Sequence, residues 1–163
     1  MYKRQAQEAF RGNLQGSAGS EARAYLARRG LAPETVEQFG LGYSDRSGRA
    51  LLRLFEPNFT PAQVEQSGLV GKRQDGSYYD RFRNRLMFPI QNESGKIIGF
   101  GGRALSSDDE PKYLNSPETP IYKKSQVLYN LHRAKEAVRK DDRVILVEGY
   151  MDAIGVSLSL IHI

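Results

Sequence analysis

Val144-Ile145-Leu146-Val147-Glu148-Gly149-Tyr150-Met151-Asp152 is the stretch on which the fold turns. Four apolar residues, three of them β-branched, predict a buried strand. The run stops on a carboxylate and a glycine, and a helix-like segment follows. Glu148 is thereby expected at the C-terminal end of a parallel strand, the edge where open α/β sheets place their chemistry. Gly149 permits a sharp exit from the strand. Asp152 then falls where it caps the next helix or turns back toward the same site. Oxygen ligands at a strand end suit Mg²⁺, which takes one or two protein carboxylates, substrate phosphates and waters. A lone strand-end Glu is also a common structural hydrogen-bond acceptor. Only Ala153 to Ile163 follow, so most partner carboxylates of such a site would lie outside this sequence.

Upstream of that run the chain changes texture once. In its first half, Ala6, Phe10 and Leu14 recur at four-residue spacing and predict an amphipathic helix over 2–15. Ser17-Ala18-Gly19-Ser20 breaks it, Ser20 is expected to cap a second helix through Arg29, and Gly30 to stop it. Pro33 opens a third helix ending at Gly40. Two short helices are expected over 48–55 and 60–67, the latter with Thr60 as N-cap and Pro61 behind it. From Asp75-Gly76 onward the sequence is β-rich. Residues 84–91 and 96–101 form a predicted hairpin whose second strand carries Gly99 and Gly101, with Gly102 just beyond. Such glycines mark a bulge or a close approach. Residues 105–126, with Pro111, Pro117 and Pro120, are expected to be an ordered loop, and 131–141 a helix.

Composition narrows the function classes. The chain has 163 residues, a net charge of +5 and 39 % hydrophobic residues, with a mean hydropathy of -0.56. That suits a basic domain with much exposed loop, compatible with a polyanionic partner. With no cysteine there is no disulfide, thiolate zinc site or Cys nucleophile. His132 and His162 alone do not make a His-rich metal site. No segment approaches the roughly 20 apolar residues of a membrane span, so no membrane partner and a cytoplasmic location are expected.

Three further clusters carry chemistry. Arg81, Arg83 and Arg85 alternate with Phe82, Asn84 and Leu86, which on a strand puts three guanidiniums on one face. Such a face either holds phosphate through bidentate contacts or is a charged edge that discourages aggregation. Gly95-Lys96-Ile97-Ile98-Gly99-Phe100-Gly101-Gly102-Arg103 is neither a dinucleotide fingerprint nor a P-loop, because no helix opens behind its glycines. Pro111-Lys112-Tyr113-Leu114-Asn115-Ser116-Pro117-Glu118-Thr119, followed by Lys124, offers cations and an amide for phosphate or sugar and a ring for base stacking. A loop capped by its own Asn and Ser has the same composition.

Arg81 to Ile90, Ile98 to Arg103, Pro111 to Thr119 and Val147 to Asp152 together resemble, in order and spacing, the bacterial replicative DNA primases of the DnaG family. Tyr25 to Leu31 and Phe39 to Tyr43 are similar to the start of that family's catalytic core. The resemblance covers roughly residues 5–156. It implies an α+β fold: a mixed helical and antiparallel primase-core subdomain over 1–141, then the first strand and partial helix of a TOPRIM domain over 142–163. It implies a DNA-directed RNA polymerase that makes short primers by nucleotidyl transfer with Mg²⁺ or Mn²⁺. On this match Glu148 is the catalytic carboxylate, with Asp152 a weaker metal ligand. Arg81 lies in the first matching block, and Arg83, Arg103, Lys112, Tyr113, Asn115 and Lys124 match the groove for nucleic acid and nucleotides. The implied partners are single-stranded DNA template, ribonucleoside triphosphates, an RNA–DNA hybrid and the replicative helicase, at the bacterial nucleoid. The family's zinc-binding domain and its later Asp-x-Asp strands are absent, and Ser157 to Ile163 do not resemble the family. The isolated chain is expected to be inactive. Two alternatives stand beside this: a module that only binds single-stranded nucleic acid, and another TOPRIM enzyme such as a topoisomerase or nuclease.

Overall fold

The computed structural model describes residues 2–160. It begins with α1 (Tyr2–Gln15), which buries Ala6, Phe10 and Leu14 as the periodicity predicts, with Lys3 and Gln7 on the same buried side. A single 3-10 turn (Ser17–Gly19) leads to α2 (Ser20–Arg28). Ser20 is the first residue of α2 and not its cap; Gly19 takes that position and supplies no side-chain bond. Gly30, at φ 72°, ends α2 as expected, with its N–H donating to the Ala27 carbonyl and that of Leu31 to the Leu26 carbonyl. The helix α3 (Pro33–Gln38) has its proline in the first turn.

After β1 (Gly42–Ser44) come α4 (Ala50–Phe55) and α5 (Pro61–Glu65). Thr60 and Gln63 form a reciprocal capping box at α5. The first turn of α4 is capped from afar. The buried Asp80 carboxylate accepts the Leu51 N–H at 2.8 Å and the Leu52 N–H at 3.1 Å. Burial raises its pKa against those two bonds.

The β region is a hairpin of β2 (Val70–Lys72) and β3 (Tyr78–Asp80), and a four-stranded sheet. The sheet holds β4 (Arg85–Gln91), β5 (Ile97–Ala104) and β6 (Tyr113–Asn115) in the order β1-β4-β5-β6, every pair antiparallel. Leu86, Met87 and Phe88 on β4 are each wholly buried, so the central strand is covered on both faces. One face packs Met87 and Phe100 against Phe10, Phe55 and Phe82. The other packs Leu86 and Phe88 against Leu26, Phe39 and Ile154. A 3-10 turn (Lys124–Gln126), α6 (Leu131–Asp141) and α7 (Tyr150–Leu160) complete the described chain.

Besides the Ser20 cap, the structure departs from the sequence reading in four places. Residues 143–147 form no strand. Val144, Ile145 and Leu146 are 58 %, 59 % and 72 % exposed, because no parallel neighbour exists among the described residues to complete a ladder. The segment 105–126 is not all loop, since Tyr113–Asn115 pairs with Gly101–Arg103. The strand after the 92–95 turn runs to Ala104 and not to 101. The arginines at 81, 83 and 85 do not share a strand face. Asn84 has φ 50°, which breaks the two-residue period, and β4 starts only at Arg85. Arg85 is buried, while Arg83 is exposed. Of the unusual tail, Ser157 to Leu160 complete α7, and 161–163 lie outside the described residues.

Candidate nucleic-acid interface and its carboxylate

The site is built on β5 and β6. Arg103 and Tyr113 are directly opposite in the ladder, and the Arg103 guanidinium lies 6.0 Å from the Tyr113 ring centroid. It also lies 4.3 Å from the ring of Tyr25, which α2 carries. Arg103 Nη1 donates to the Ala104 carbonyl at 3.1 Å. The Tyr113 ring is 40 % exposed, leaving it open for a stacking partner.

Asn115, opposite Gly101 on β5, accepts a hydrogen bond of 2.6 Å from the Tyr150 hydroxyl on its Oδ1. Tyr150 is the first residue of α7 and lies flat on the sheet. Its ring stacks on Phe88 at 5.0 Å and 13° and meets Tyr129 edge-on at 4.9 Å. The place for the ring is made by Gly101, where a Cβ would come within 2.5 Å of it. The glycine predicted to mark a close approach therefore receives an aromatic side chain. Burial raises the Tyr150 phenol's pKa, which keeps it a donor to Asn115.

With Tyr150 anchored, Glu148 two residues earlier reaches the wall of a cleft of about 1220 Å³. Tyr113, Asn115, Arg133, Arg143 and Tyr150 share that wall. Glu148 is exposed. Asp152 sits in the first turn of α7 and folds back onto Gly149, where a Cβ would lie 2.8 Å from its Oδ2. Among the described residues no three metal-capable side chains converge. Of the two predicted carboxylate ligands, Glu148 lines the cleft and Asp152 does not.

The structure brings Tyr113, Asn115 and Glu148 to one cleft, and sets Arg103 beside Tyr113 on the ladder but outside that lining. Lys112 adjoins them, exposed on the residue before β6, with its carbonyl held by the Ala104 N–H at 2.9 Å. Like Arg103, Lys112 and Asp152, the residues Arg81, Arg83 and Lys124 do not line the cleft. Arg81 is half-buried after β3, with its N–H donating to the Leu69 carbonyl. Arg83 is exposed beside Gly48. Lys124 is exposed in its 3-10 turn, its N–H donating to Glu118 at 3.1 Å.

Sequence reasoning missed Tyr25 and Arg29 as site residues. Arg29 Nε donates to the Tyr25 hydroxyl at 2.9 Å, and that bond is the chief reason the Arg29 pKa is raised. Their four-residue spacing on a helix is a readable signal, but their approach to Arg103 is tertiary. Arg85 was grouped with the phosphate-facing arginines and is instead a staple. Its Nη1 donates to the Pro111 carbonyl at 2.6 Å and the Gly102 carbonyl at 3.4 Å, and its Nη2 to the Glu110 carbonyl at 3.2 Å.

The chain and its fold have counterparts among known proteins. The DNA primase of Neisseria meningitidis serogroup B is 44 % identical over 136 residues, covering 83 % of this chain and 22 % of the relative. That of Synechocystis is 49 % identical over 140 residues, with the same two shares. The chain thus spans about a quarter of the length of the curated relatives it matches. Among solved structures, the RNA polymerase domain of Mycobacterium tuberculosis primase DnaG superposes with a TM-score of 0.89 at 34 % identity, over 96 % of this chain and 52 % of that one. A DnaG primase catalytic domain bound to single-stranded DNA does so with a TM-score of 0.88 at 37 % identity, over 96 % and 50 %. The family model for the DNA primase catalytic core, N-terminal domain, matches residues 9–135, which include β5, β6 and the arginine and tyrosines built on and around them. By its sequence and by the sheet that carries the site, this chain belongs to the DnaG primase catalytic core family.

Proposed function

We propose that this chain is the part of a DNA primase that holds template and nucleotide beside the reacting carboxylate, within an enzyme that synthesises short RNA primers on single-stranded DNA. The observation that carries this reading is the cleft that Glu148 shares with Tyr113 and Asn115, with Arg103 against Tyr113 in the β5–β6 ladder. Arg103, with Lys112 beside it, offers charge to phosphates of the template or of an incoming ribonucleoside triphosphate. Tyr113 offers a face for a base. Asn115, its oxygen occupied by Tyr150, keeps its amide N–H₂ for a sugar or phosphate oxygen. Arg81, Arg83 and Lys124 belong to a wider cationic surface along which the strand or an RNA–DNA hybrid continues.

Glu148 acts as general base or as metal organiser at the cleft wall. When bound by Glu148, with Asp152 in support, Mg²⁺ or Mn²⁺ supplies the positive charge that stabilises attacking and leaving oxygens in nucleotidyl transfer. Residues 1–141 form the core subdomain, and 142–163 start the TOPRIM unit. In a cell the enzyme works at the replication fork with the replicative helicase.

The test is Glu148→Gln in a full-length primase carrying this segment, assayed for template-dependent primer synthesis. Loss of synthesis with retained binding of single-stranded DNA is expected. Full synthesis by the Gln variant overturns the role of Glu148. A second reading, binding without catalysis by the 163-residue chain, is favoured by the exposed Arg83, Lys112, Tyr113 and Lys124. It predicts an affinity for single-stranded DNA that falls steeply with salt, and a salt-independent interaction overturns it.

A further inference from the structure

Tyr25 is surrounded by cations. The guanidinium of Arg103 lies 4.3 Å from its ring centroid, that of Arg29 5.5 Å and that of Arg28 6.0 Å. The Arg29 side chain also donates to its hydroxyl. The ion pairs among the described residues lie elsewhere, at Arg4–Glu8, Arg11–Glu37 and Arg46–Glu21, and the one carboxylate that acts on Arg29, Asp152, is the least of the causes that raise its pKa. Three guanidiniums around one uncharged ring repel one another. The ring lowers that cost, because its electron-rich face attracts each cation and its hydroxyl oxygen gives one of them an acceptor. An anion shared between two of the cations would lower it further.

From this we infer that Tyr25 is a positioning residue, which holds Arg103 and Arg29 side by side so that both act on one phosphate of a bound nucleic acid. Arg103 arrives from β5 and Arg29 from the end of α2, and two donor-only guanidiniums cannot hydrogen-bond to each other. The Tyr25 ring is the common support. It fixes Arg103 through its face and Arg29 through its hydroxyl, so the two functions are separable by substitution. The flexible side chains arrive ordered, and less rotamer entropy is lost when phosphate binds.

The inference rests on the reading of Arg103 as a phosphate contact, and the experiment separates the two. The 163-residue chain is titrated against a fluorescein-labelled oligothymidylate across a range of salt concentrations, for the parent, Tyr25→Phe, Tyr25→Leu, Arg103→Ala and the double variant Tyr25→Leu/Arg103→Ala. Thermal melting is followed for each. Arg103→Ala is expected to weaken binding and to reduce the slope of log affinity against log salt by about 1. Tyr25→Leu removes no charge, yet is expected to reduce that slope as well and to weaken binding roughly tenfold. Tyr25→Phe keeps the ring and falls between. The double variant is expected to lose less than the sum of the two single losses, since without Arg103 the Tyr25 substitution costs only the placing of Arg29.

A Tyr25→Leu variant that melts like the parent and keeps the parent slope overturns the inference. So do strictly additive effects in the double variant. Should Tyr25→Leu melt early, Tyr25→Phe decides: parent-like binding and slope overturn the hydroxyl's part. An unchanged affinity in Arg103→Ala overturns instead the assignment of Arg103 to phosphate.

Discussion

Lys3 shows how a single residue can set a pH dependence far from any site. Its ammonium is buried on the inner side of α1 and donates to the Ser67 carbonyl at 2.7 Å. Desolvation lowers its pKa from 10.5 to about 8. The unfolded chain therefore binds more protons than the folded one between those two values, and stability rises with pH across that window. Below it the penalty is constant. Lys3→Met is expected to stabilise the chain at pH 7 by about 2 kcal/mol. The difference from the parent should shrink as pH climbs from 8 to 10.5, as measured by urea unfolding at a series of pH values; a difference that stays flat sinks the argument. Nothing in the sequence around Lys3 signals its burial, because the partner is a backbone carbonyl 64 residues away. The same limit applies to Asn84. Its left-handed backbone cannot be read from an Arg-x-Arg-x-Arg pattern, and it sends Arg83 outward and Arg85 inward. The signal that pointed to Glu148, a strand-like run followed by a carboxylate and a glycine, is local, and the strand it implied does not form.

At the level of elements, what local chemistry dictates was legible and what pairing dictates was not. The helix over 2–15, the Thr60–Pro61 start of α5, the Gly30 stop and the β4–β5 hairpin all rest on residues close in sequence. The short strands β1 and β6 rest on neighbours they meet only in the folded sheet. The run 144–147 has strand propensity but gains no partner. Gly101 links element to site, since it leaves room for Tyr150 and so docks α7. Gly101→Ala puts a methyl group where the ring lies and is expected to cost about 1–3 kcal/mol. Amide protection along α7, including Ile154, should fall more than protection in β4, as hydrogen exchange would reveal. Equal protection of α7 in both proteins would mean that the ring is not its anchor.

Over the whole molecule, a basic chain carries one exposed apolar run from Val144 to Val147. Such a run invites self-association through its unpaired backbone. Leu146→Lys is therefore expected to raise the monomer fraction in sedimentation at high concentration, with stability changed by no more than about 0.5 kcal/mol. If the parent is already monomeric at every concentration, the run is harmless. The same molecule has a contrasting place where the chain is held tightly at both ends. Arg85 grips the carbonyls of Gly102, Glu110 and Pro111, closing the excursion that leaves β5 after Ala104 and returns at β6. Within that excursion Leu105 packs on the core and Asp109 accepts from Asn84 Nδ2 at 2.6 Å, but the exposed tip between them can change length with little effect on Tyr113, because added loop costs grow only slowly with its size. The tip around Ser107 is thus the position at which relatives can gain or lose residues, or an engineer can insert a tag, without disturbing the register that aligns the ring opposite Arg103.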